Sequence, residues 1–195
     1  AASKWCKADR GFDPVLVDRQ GICGVWTEAA DEFAGDWARY SKARKFWRAN
    51  GNRIVAPVYA ADGTIVSFKF RNDGSIALHG GWAKQSKEVG ASGLPVKDAV
   101  IANRIGAEML RTGKLPDGCN LVVHLEGLPD AIAAAAYGPT AAVFGNVVSS
   151  SIGLGLVSRV PRGAEVVFAF DADAGGRMHL RNALRAYAAR ANVLK

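Results

Sequence analysis

The sequence predicts an α+β first half, made of helices plus an antiparallel hairpin, followed by an α/β second half with a mainly parallel sheet. Two observations support this prediction. At Gly51 the chain changes to short apolar runs that flank an Asp62-Gly63 pair, which is typical of a hairpin. Later, apolar runs without polar alternation take turns with helical stretches, which is typical of parallel strands buried on both faces. We place the domain boundary between residues 1–94 and 95–195.

The individual elements follow from the spacing of apolar residues. Residues 4–50 are predicted to be helical and basic, with the hairpin over 54–70. Residues 75–95, rich in Gly, Ser and Lys, are predicted to be a long loop or a short hairpin. The remaining predictions are a helix over 96–112, strands over 121–125, 140–144 and 164–170, and helices over 129–137 and 178–191.

Composition narrows the class of protein. The chain has 195 residues, 49% of them hydrophobic, so it can bury a core, which argues against a disordered or polybasic tail. Its net charge of +7 favours a polyanionic partner such as nucleic acid. Three scattered cysteines, Cys6, Cys23 and Cys119, give neither a zinc ribbon nor a disulfide framework, so we expect a reducing, cytoplasmic compartment. No apolar stretch is long enough to span a bilayer, and no membrane partner is expected.

Acidic residues follow two of the predicted parallel strands. Glu126 follows the first strand, with Asp130 shortly after it, and Asp171 and Asp173 follow the third. Ligands of parallel sheets bind beyond the carboxyl ends of the strands. Like charges grouped there cost free energy unless a cation neutralises them, and Mg²⁺ prefers such oxygen ligands. For any one acid taken alone, the alternative is that it caps the following helix.

Three stretches together resemble a known domain. Residues 125–131, Gly145 and residues 170–177 are similar to the Toprim domain that primases, topoisomerases and some nucleases share. Upstream, residues 53–58 and 68–71, on either side of the Asp-Gly turn, resemble the stretch before Toprim in the catalytic core of DnaG-type bacterial and phage primases. Within the glycine-rich end of the motif, the second glycine, Gly176, matches the invariant position. The resemblance spans nearly the whole chain.

The resemblance implies an enzyme that makes short RNA primers on single-stranded DNA by nucleotidyl transfer from nucleoside triphosphates. It implies Mg²⁺ or Mn²⁺ as cofactor, held by Glu126, Asp171 and Asp173, with Asp130 completing the catalytic set. Four basic residues would contact the nucleotide or the template: Arg53, Arg71, Lys84 and Lys87. Three glycines would shape the site: Gly127, Gly145 and Gly176. A replicative helicase or further domains of the same polypeptide would be partners, as in a phage or plasmid replication protein.

Two other functions stay open at this point. A Toprim nuclease would use the same acids without nucleoside triphosphates, although the upstream hairpin and basic loop argue against it. A non-catalytic DNA-binding module of a replication or mobile-element protein would keep the acids only for the fold. Away from the acids, His124 alternates with apolar residues and is interpreted as a packed, hydrogen-bonded core histidine, whereas His179 is isolated in the sequence.

Overall fold

The computed structural model describes residues 11–25, 52–72, 88–90, 98–138, 140–148 and 151–193. The helices in these ranges are α1 Pro14–Gln20, α2 Arg104–Thr112, α3 Leu128–Tyr137, α4 Leu154–Arg159 and α5 Ala174–Val193. The strands are β1 Gly24–Val25, β2 Asn52–Tyr59, β3 Ile65–Asn72, β4 Glu88–Gly90, β5 Val100–Ala102, β6 Leu121–Leu125, β7 Ala141–Asn146 and β8 Glu165–Ala169. Among these described helices, none is both long and apolar enough to cross a membrane.

One mixed sheet contains all the described strands, in the order β4-β3-β2-β5-β7-β6-β8, with β1 beside β2. Strands β2 and β3 form the antiparallel hairpin. Strand β6 lies between β7 and β8 and is parallel to both. The predicted fold class is therefore confirmed. Most of the predicted helical region 4–50 and of the predicted loop or short hairpin 75–95 lies outside the described residues. Within them, Pro14–Gln20 is helical as predicted, whereas Gly24–Val25 is a strand, because it pairs with β2.

Strand β5 joins the two halves of the sheet, because it pairs antiparallel with β2 on one side and with β7 on the other. The sheet thus runs without interruption through the predicted division between residues 1–94 and 95–195. That division stays a prediction, since a shared sheet does not decide whether either half folds alone.

The hairpin turn differs from the two-residue turn that an Asp-Gly pair suggests. The turn consists of residues 60–64. Within the Asp62-Gly63 pair only Gly63 has a positive φ, 82°. Asp62 instead accepts hydrogen bonds through Oδ1 from the Thr64 hydroxyl at 2.6 Å and the Thr64 N–H at 2.9 Å, and the hydroxyl bond is the main reason that its pKa is lowered. A Cβ on Gly63 would lie 2.8 Å from the backbone nitrogen of Arg111, so the turn packs directly on α2.

Helices pack against both faces of the sheet. One apolar cluster joins α1 and α3 to the sheet, with Val17, Ile132 and Val143 among its buried members. The other joins α2, α4 and α5 to the opposite face, with Met109 and Leu156 among its buried members. This two-sided covering leaves the strand ends, where the sheet edge opens between helices, as the place for a site.

The predicted burial of β8 on both faces is wrong. Strand β7 is buried along its whole length, but exposed and half-buried residues alternate along β8. Val167, on the open face of β8, is 39% exposed. The reason is position, because β8 ends the described sheet and α5 covers only the face that carries Val166 and Phe168.

The predicted helix over 96–112 is also wrong in its first part. Residues Val100–Ala102 form β5, and α2 begins only at Arg104. All three strand residues are fully buried between β2 and β7, and an apolar run of this kind fits a buried strand as well as a helix. Two smaller differences are that α5 begins at Ala174, ahead of the predicted 178, and that α4 was not predicted.

Asn103 ends β5 and begins α2. It is fully buried, and its Oδ1 accepts hydrogen bonds from the N–H groups of Gly106 at 2.8 Å, the N-cap bond of α2, and of Val143 at 3.0 Å. Its Nδ2 donates to the carbonyl of Ala141 at 2.9 Å and to Oε1 of Gln20 at 3.2 Å. One amide thus ties α2 and α1 to β7, with both ends of the side chain satisfied.

We predict that Asn103→Ala destabilises the fold by about 2–4 kcal/mol, since it removes a helix cap and leaves buried backbone groups of β7 without partners. Urea unfolding followed by circular dichroism measures this. Gln20→Ala is the matched control, because it removes only the longest of the four bonds and should cost about 1 kcal/mol or less. Equal losses in the two variants would contradict the central role of Asn103.

His124 is a core histidine, as its sequence pattern predicted. Its ring is fully buried and stacks with the rings of Phe144 and Phe168, each with a centroid distance of 5.5 Å. Its Nε2 lies 2.9 Å from the hydroxyl of Tyr187, and its Nδ1 has no hydrogen-bond partner. Burial lowers the pKa of His124 to about 3, so the ring is neutral at ordinary pH.

This depressed pKa predicts a loss of stability in acid. Between pH 6.5 and about 3 the unfolded chain binds a proton at His124 that the folded protein does not, so the free energy of unfolding falls as the pH falls. In the middle of this window, His124→Phe should lower the slope of stability against pH by about 1.4 kcal/mol per pH unit. Urea unfolding of both proteins at several pH values tests this, and equal slopes would refute it.

Candidate active site

The carboxyl ends of three parallel strands meet at one edge of the sheet. Leu125 at the end of β6 pairs with Gly145 of β7 and with Ala169 of β8. The next residues along β6 and β7 are Glu126 and Asn146. Asp171 follows shortly after β8, so the predicted acids from two different strands do reach the same edge.

Close packing of glycines brings the turn after β6 against β7. A Cβ on Gly145 would lie 3.0 Å from the carbonyl oxygen of Gly127 and 3.0 Å from the Cβ of Ala131. Any side chain at this position would therefore push the turn away from the sheet. The predicted structural role of Gly145 has this physical basis, because the turn it admits is the one that carries Glu126.

Glu126 connects β6 to the loop after β8. Its side chain is half-buried, and Oε2 accepts a hydrogen bond from the backbone N–H of Asp171 at 3.2 Å. This contact fixes the two acidic segments relative to each other, although they lie on different strands. The Asp171 side chain itself is exposed.

Asp173 caps α5, which was the alternative that its position allowed. Its Oδ1 accepts a hydrogen bond from the N–H of Gly176 at 2.8 Å, in the first turn of the helix. A Cβ on Gly176 would collide with the carbonyl oxygen of Asp171 and lie 2.8 Å from its nitrogen, so this turn requires glycine. A carboxylate has about four lone-pair positions, and the cap uses one of them.

Glu126 and Asp173 converge over Gly175. A Cβ placed on that glycine would lie 3.2 Å from Oδ1 of Asp173 and 3.4 Å from Oε1 of Glu126. Two carboxylates from different elements thus border one small space, which glycine leaves open. Such a pair is stable next to a cation, and Mg²⁺ commonly takes one or two protein carboxylates together with water and phosphate oxygens.

The pair of carboxylates fits a divalent metal ion, but a complete protein ligand set is not formed. Within the described ranges, no three His, Cys, Asp or Glu side chains come together as a group able to hold a metal ion. The predicted set of Glu126, Asp171 and Asp173 acting as three ligands therefore stays a prediction. Water and substrate oxygens would have to complete the coordination.

Asp130 lies in the first turn of α3, the helix that begins two residues after Glu126. Its Oδ2 is 3.8 Å from the Cβ position of Gly127, and its side chain is exposed. A carboxylate in the first turn also favours the helix electrostatically. Its predicted catalytic role is a prediction still.

The structure does not bring Arg71 to the carboxylates. Arg71 pairs with Ile54, near the start of β2. The carboxyl edge of the parallel strands is instead level with the other end of β2, at Tyr59. Four strand spacings, about 19 Å, also separate β3 from β6. The Arg71 side chain is only 7% exposed. Contact with a nucleotide bound at Glu126 does not follow from this geometry.

The other predicted basic residues cannot be placed. The backbone of Arg53 belongs to β2, but its side chain lies outside the description. Lys84 and Lys87 fall outside the described residues. Their roles at the nucleotide or template stay predictions.

Three residues near this edge were missed from the sequence. The Asn146 amide lies 2.8 Å from Nδ1 of His179, one turn into α5, so His179 is not isolated in space. Asn146 is 6% exposed, and its Oδ1 has no hydrogen-bond partner. Arg177 donates from Nη1 to the carbonyl of Ala172 at 2.9 Å, beside the acids. Only the place of Asn146, at the carboxyl end of a strand, was a signal that sequence could give.

Fold and site together define a class: an α+β protein whose mixed sheet is parallel in its second half and carries carboxylates at the carboxyl edge of that half. Comparison with solved structures makes this more specific. The Escherichia coli primase catalytic core aligns with a TM-score of 0.54 and 17% identity, over 95% of this chain and 60% of the other. The Aquifex aeolicus primase, with its zinc-binding and RNA polymerase domains, gives 0.58 and 16%, over 95% and 46%.

A DnaG primase catalytic domain bound to single-stranded DNA gives a TM-score of 0.57 and 16% identity, over 95% of this chain and 59% of the other. The resemblance to primase cores is therefore confirmed at the level of the fold. This chain spans about 60% or less of these solved chains. No family model and no curated protein matches its sequence.

Alanine substitutions at Gly175 and Gly176 should have different effects, because the first glycine faces side-chain carboxylates and the second faces backbone. Gly175→Ala should keep the fold, since 3.2–3.4 Å contacts with flexible carboxylates can relax, but it should weaken Mn²⁺ binding about tenfold by filling the space. Gly176→Ala should instead destabilise the fold by about 1–3 kcal/mol, because it meets rigid backbone. Calorimetric titration with Mn²⁺ and urea unfolding measure the two effects. Unchanged Mn²⁺ affinity in a folded Gly175→Ala variant would contradict a metal at this point.

Proposed function

We propose that the chain is a primase-type catalytic core, which uses Mg²⁺ or Mn²⁺ to join ribonucleoside triphosphates into short primers on single-stranded DNA. The observation that carries the proposal is the convergence of Glu126 and Asp173 over Gly175, at the carboxyl edge of the parallel strands. The likeness of the fold to primase cores, one of them bound to single-stranded DNA, supports it. The activity of a longer parent protein, and a helicase partner, belong to the same proposal.

The acidic pair suits this chemistry for a physical reason. Nucleotidyl transfer develops negative charge on phosphate oxygens, which a divalent ion neutralises while it orients the reacting groups. Glu126 and Asp173 would hold the ion, and Asp171 would add a carboxylate to the same edge. The hydrogen bond from the Asp171 N–H to Oε2 of Glu126 draws the Glu126 carboxylate towards the loop after β8. Asp130, from the adjoining helix turn, would support Glu126 or act as a base.

Incorporation of labelled ribonucleotides on single-stranded DNA, with and without Mn²⁺, tests the proposal. Glu126→Gln and Asp171→Asn should each lower incorporation by about 100-fold or more, because they weaken metal charge stabilisation worth several kcal/mol. Glu165→Gln is the matched control. Asp171 follows the carboxyl end of β8, whereas Glu165 is exposed at the amino end of the same strand. It should keep full activity. A wild-type chain and a full-length parent that both make no product would refute the polymerase function.

Asp173→Asn separates capping from metal binding. Asparagine caps helices about as well as aspartate, so a residue that serves only as the cap would tolerate this change. We expect unfolding stability within about 0.5 kcal/mol of wild type together with about 100-fold lower incorporation. Stability and incorporation both equal to wild type would show that Asp173 serves as the cap alone.

The same assays distinguish the other two functions. Metal-dependent cleavage of nucleic acid in the absence of nucleoside triphosphates would indicate a Toprim nuclease. Single-stranded DNA binding with neither incorporation nor Mn²⁺ binding would indicate a non-catalytic module.

A further inference from the structure

Helix α5 carries a row of arginines on its outer face. Arg177, Arg181 and Arg185 are spaced four residues apart, so they follow one another along one side of the helix at intervals of about 6 Å. All three are exposed. The 20-residue helix contains no Asp or Glu at all, which is unusual for a solvated helix, where charges of both signs normally alternate.

An apolar row lies beside the arginines. Leu180 is 36% exposed and Leu184 is 51% exposed, and together with Ala188 and the three arginines they line one open groove of about 510 Å³. We call this surface the arginine groove. Within the described part of the chain, neither Arg181 nor Arg185 is paired with a carboxylate. Two arginines that have no carboxylate partner among the described residues, beside exposed leucines, favour an anionic partner that also has apolar surface.

The arginine groove starts at the candidate active site. Arg177, its first member, donates to the carbonyl of Ala172, which lies between the two acids Asp171 and Asp173. From there the row runs about 12 Å along the helix axis, from Arg177 to Arg185. A chain-like ligand with one end at the carboxylates can therefore continue along the groove.

Two anionic partners fit this description in principle, an acidic peptide and a single nucleic-acid strand. The continuity with the carboxylate edge favours the nucleic acid, because the proposed nucleotidyl transfer brings phosphates to Glu126, Asp171 and Asp173, whereas it brings no acidic peptide there. A nucleic-acid strand could reach that edge through a metal ion between its phosphates and the acids. Arginine also binds phosphate oxygens in bidentate geometry, and sugars and bases supply the apolar surface.

We infer that the arginine groove on α5 binds the phosphate backbone of a single nucleic-acid strand that enters or leaves the active site. The inference rests on the proposed function in one respect, namely that nucleic acid reaches the carboxylates. It adds a path for the strand on the second half of the chain, formed by residues other than the basic ones that the sequence suggested. The contacts are with phosphates, so the groove carries no sequence preference.

Binding of a fluorescent oligothymidylate to the full chain, measured by anisotropy between about 50 and 200 mM salt, tests this inference. The double variant Arg181→Gln/Arg185→Gln loses two phosphate contacts. Its affinity should fall about tenfold at the lowest salt, and the slope of log K against log salt should become shallower by about 1.4. Glutamine favours helices nearly as well as arginine, so α5 should keep its structure.

The matched control is Arg162→Gln/Arg190→Gln, which removes the same charge from a separate pocket that Tyr187 lines. The control should keep the wild-type slope. An equal loss in both variants would reduce the effect to net charge, and an unchanged slope in the groove variant would overturn the inference. Polyglutamate binding that is lost only in the groove variant, with oligothymidylate binding intact, would assign the groove to an acidic protein.

The binding assay contains no nucleoside triphosphate and measures no product, so its outcome is independent of the polymerase test. A chain that binds along the groove but incorporates no nucleotide would keep this inference and lose the proposed function. If the chain incorporates nucleotides and the groove variant binds oligothymidylate with the wild-type salt slope, the proposed function stands and this inference is lost.

Discussion

The fully satisfied amide of Asn103 is the interaction on which the rest of the fold depends. It ends β5, caps α2 and accepts from and donates to β7, so it fixes where the antiparallel half of the sheet meets the parallel half. A buried amide with unsatisfied groups would cost free energy, and this one has partners at both ends. Because these bonds fix the position of β7, they also fix the position of Gly145 near its carboxyl end, against which the turn that carries Glu126 packs.

Glycines at the carboxyl edge allow the close backbone packing that forms the site. Gly145 admits the turn after β6, Gly176 lets α5 begin directly against Asp171, and Gly175 leaves open the space between two carboxylates. Helix α5 then combines two opposite electrostatic roles. Its first turn is capped by an acid at the site, whereas all the charged residues of the helix itself are basic. Negative and positive surfaces are therefore adjacent, which suits the proposed metal ion and the proposed nucleic-acid strand.

Sequence reasoning succeeded where a local pattern had one solution. The run at residues 121–125 was predicted as a strand and is one, and the acids were singled out because ligands of parallel sheets bind beyond the carboxyl ends of the strands. It failed at residues 100–102, where three buried apolar residues fit a helix or a strand equally well, and only their pairing with β2 and β7 decided. It failed again at β8, since nothing in an apolar run tells whether other elements cover both faces of the strand.

By itself, the sequence determined the α+β class, the hairpin, the three parallel strands, and the identity of the acids that follow two of them. These depend on apolar periodicity and turn chemistry, which act over a few residues. Only the tertiary structure decided which groups meet: Glu126 with Asp173 over Gly175, Asn146 with His179, and Arg71 away from the carboxylates. The physical reason is that such contacts join residues far apart in the chain, through strand register and close packing of glycines that no local pattern encodes.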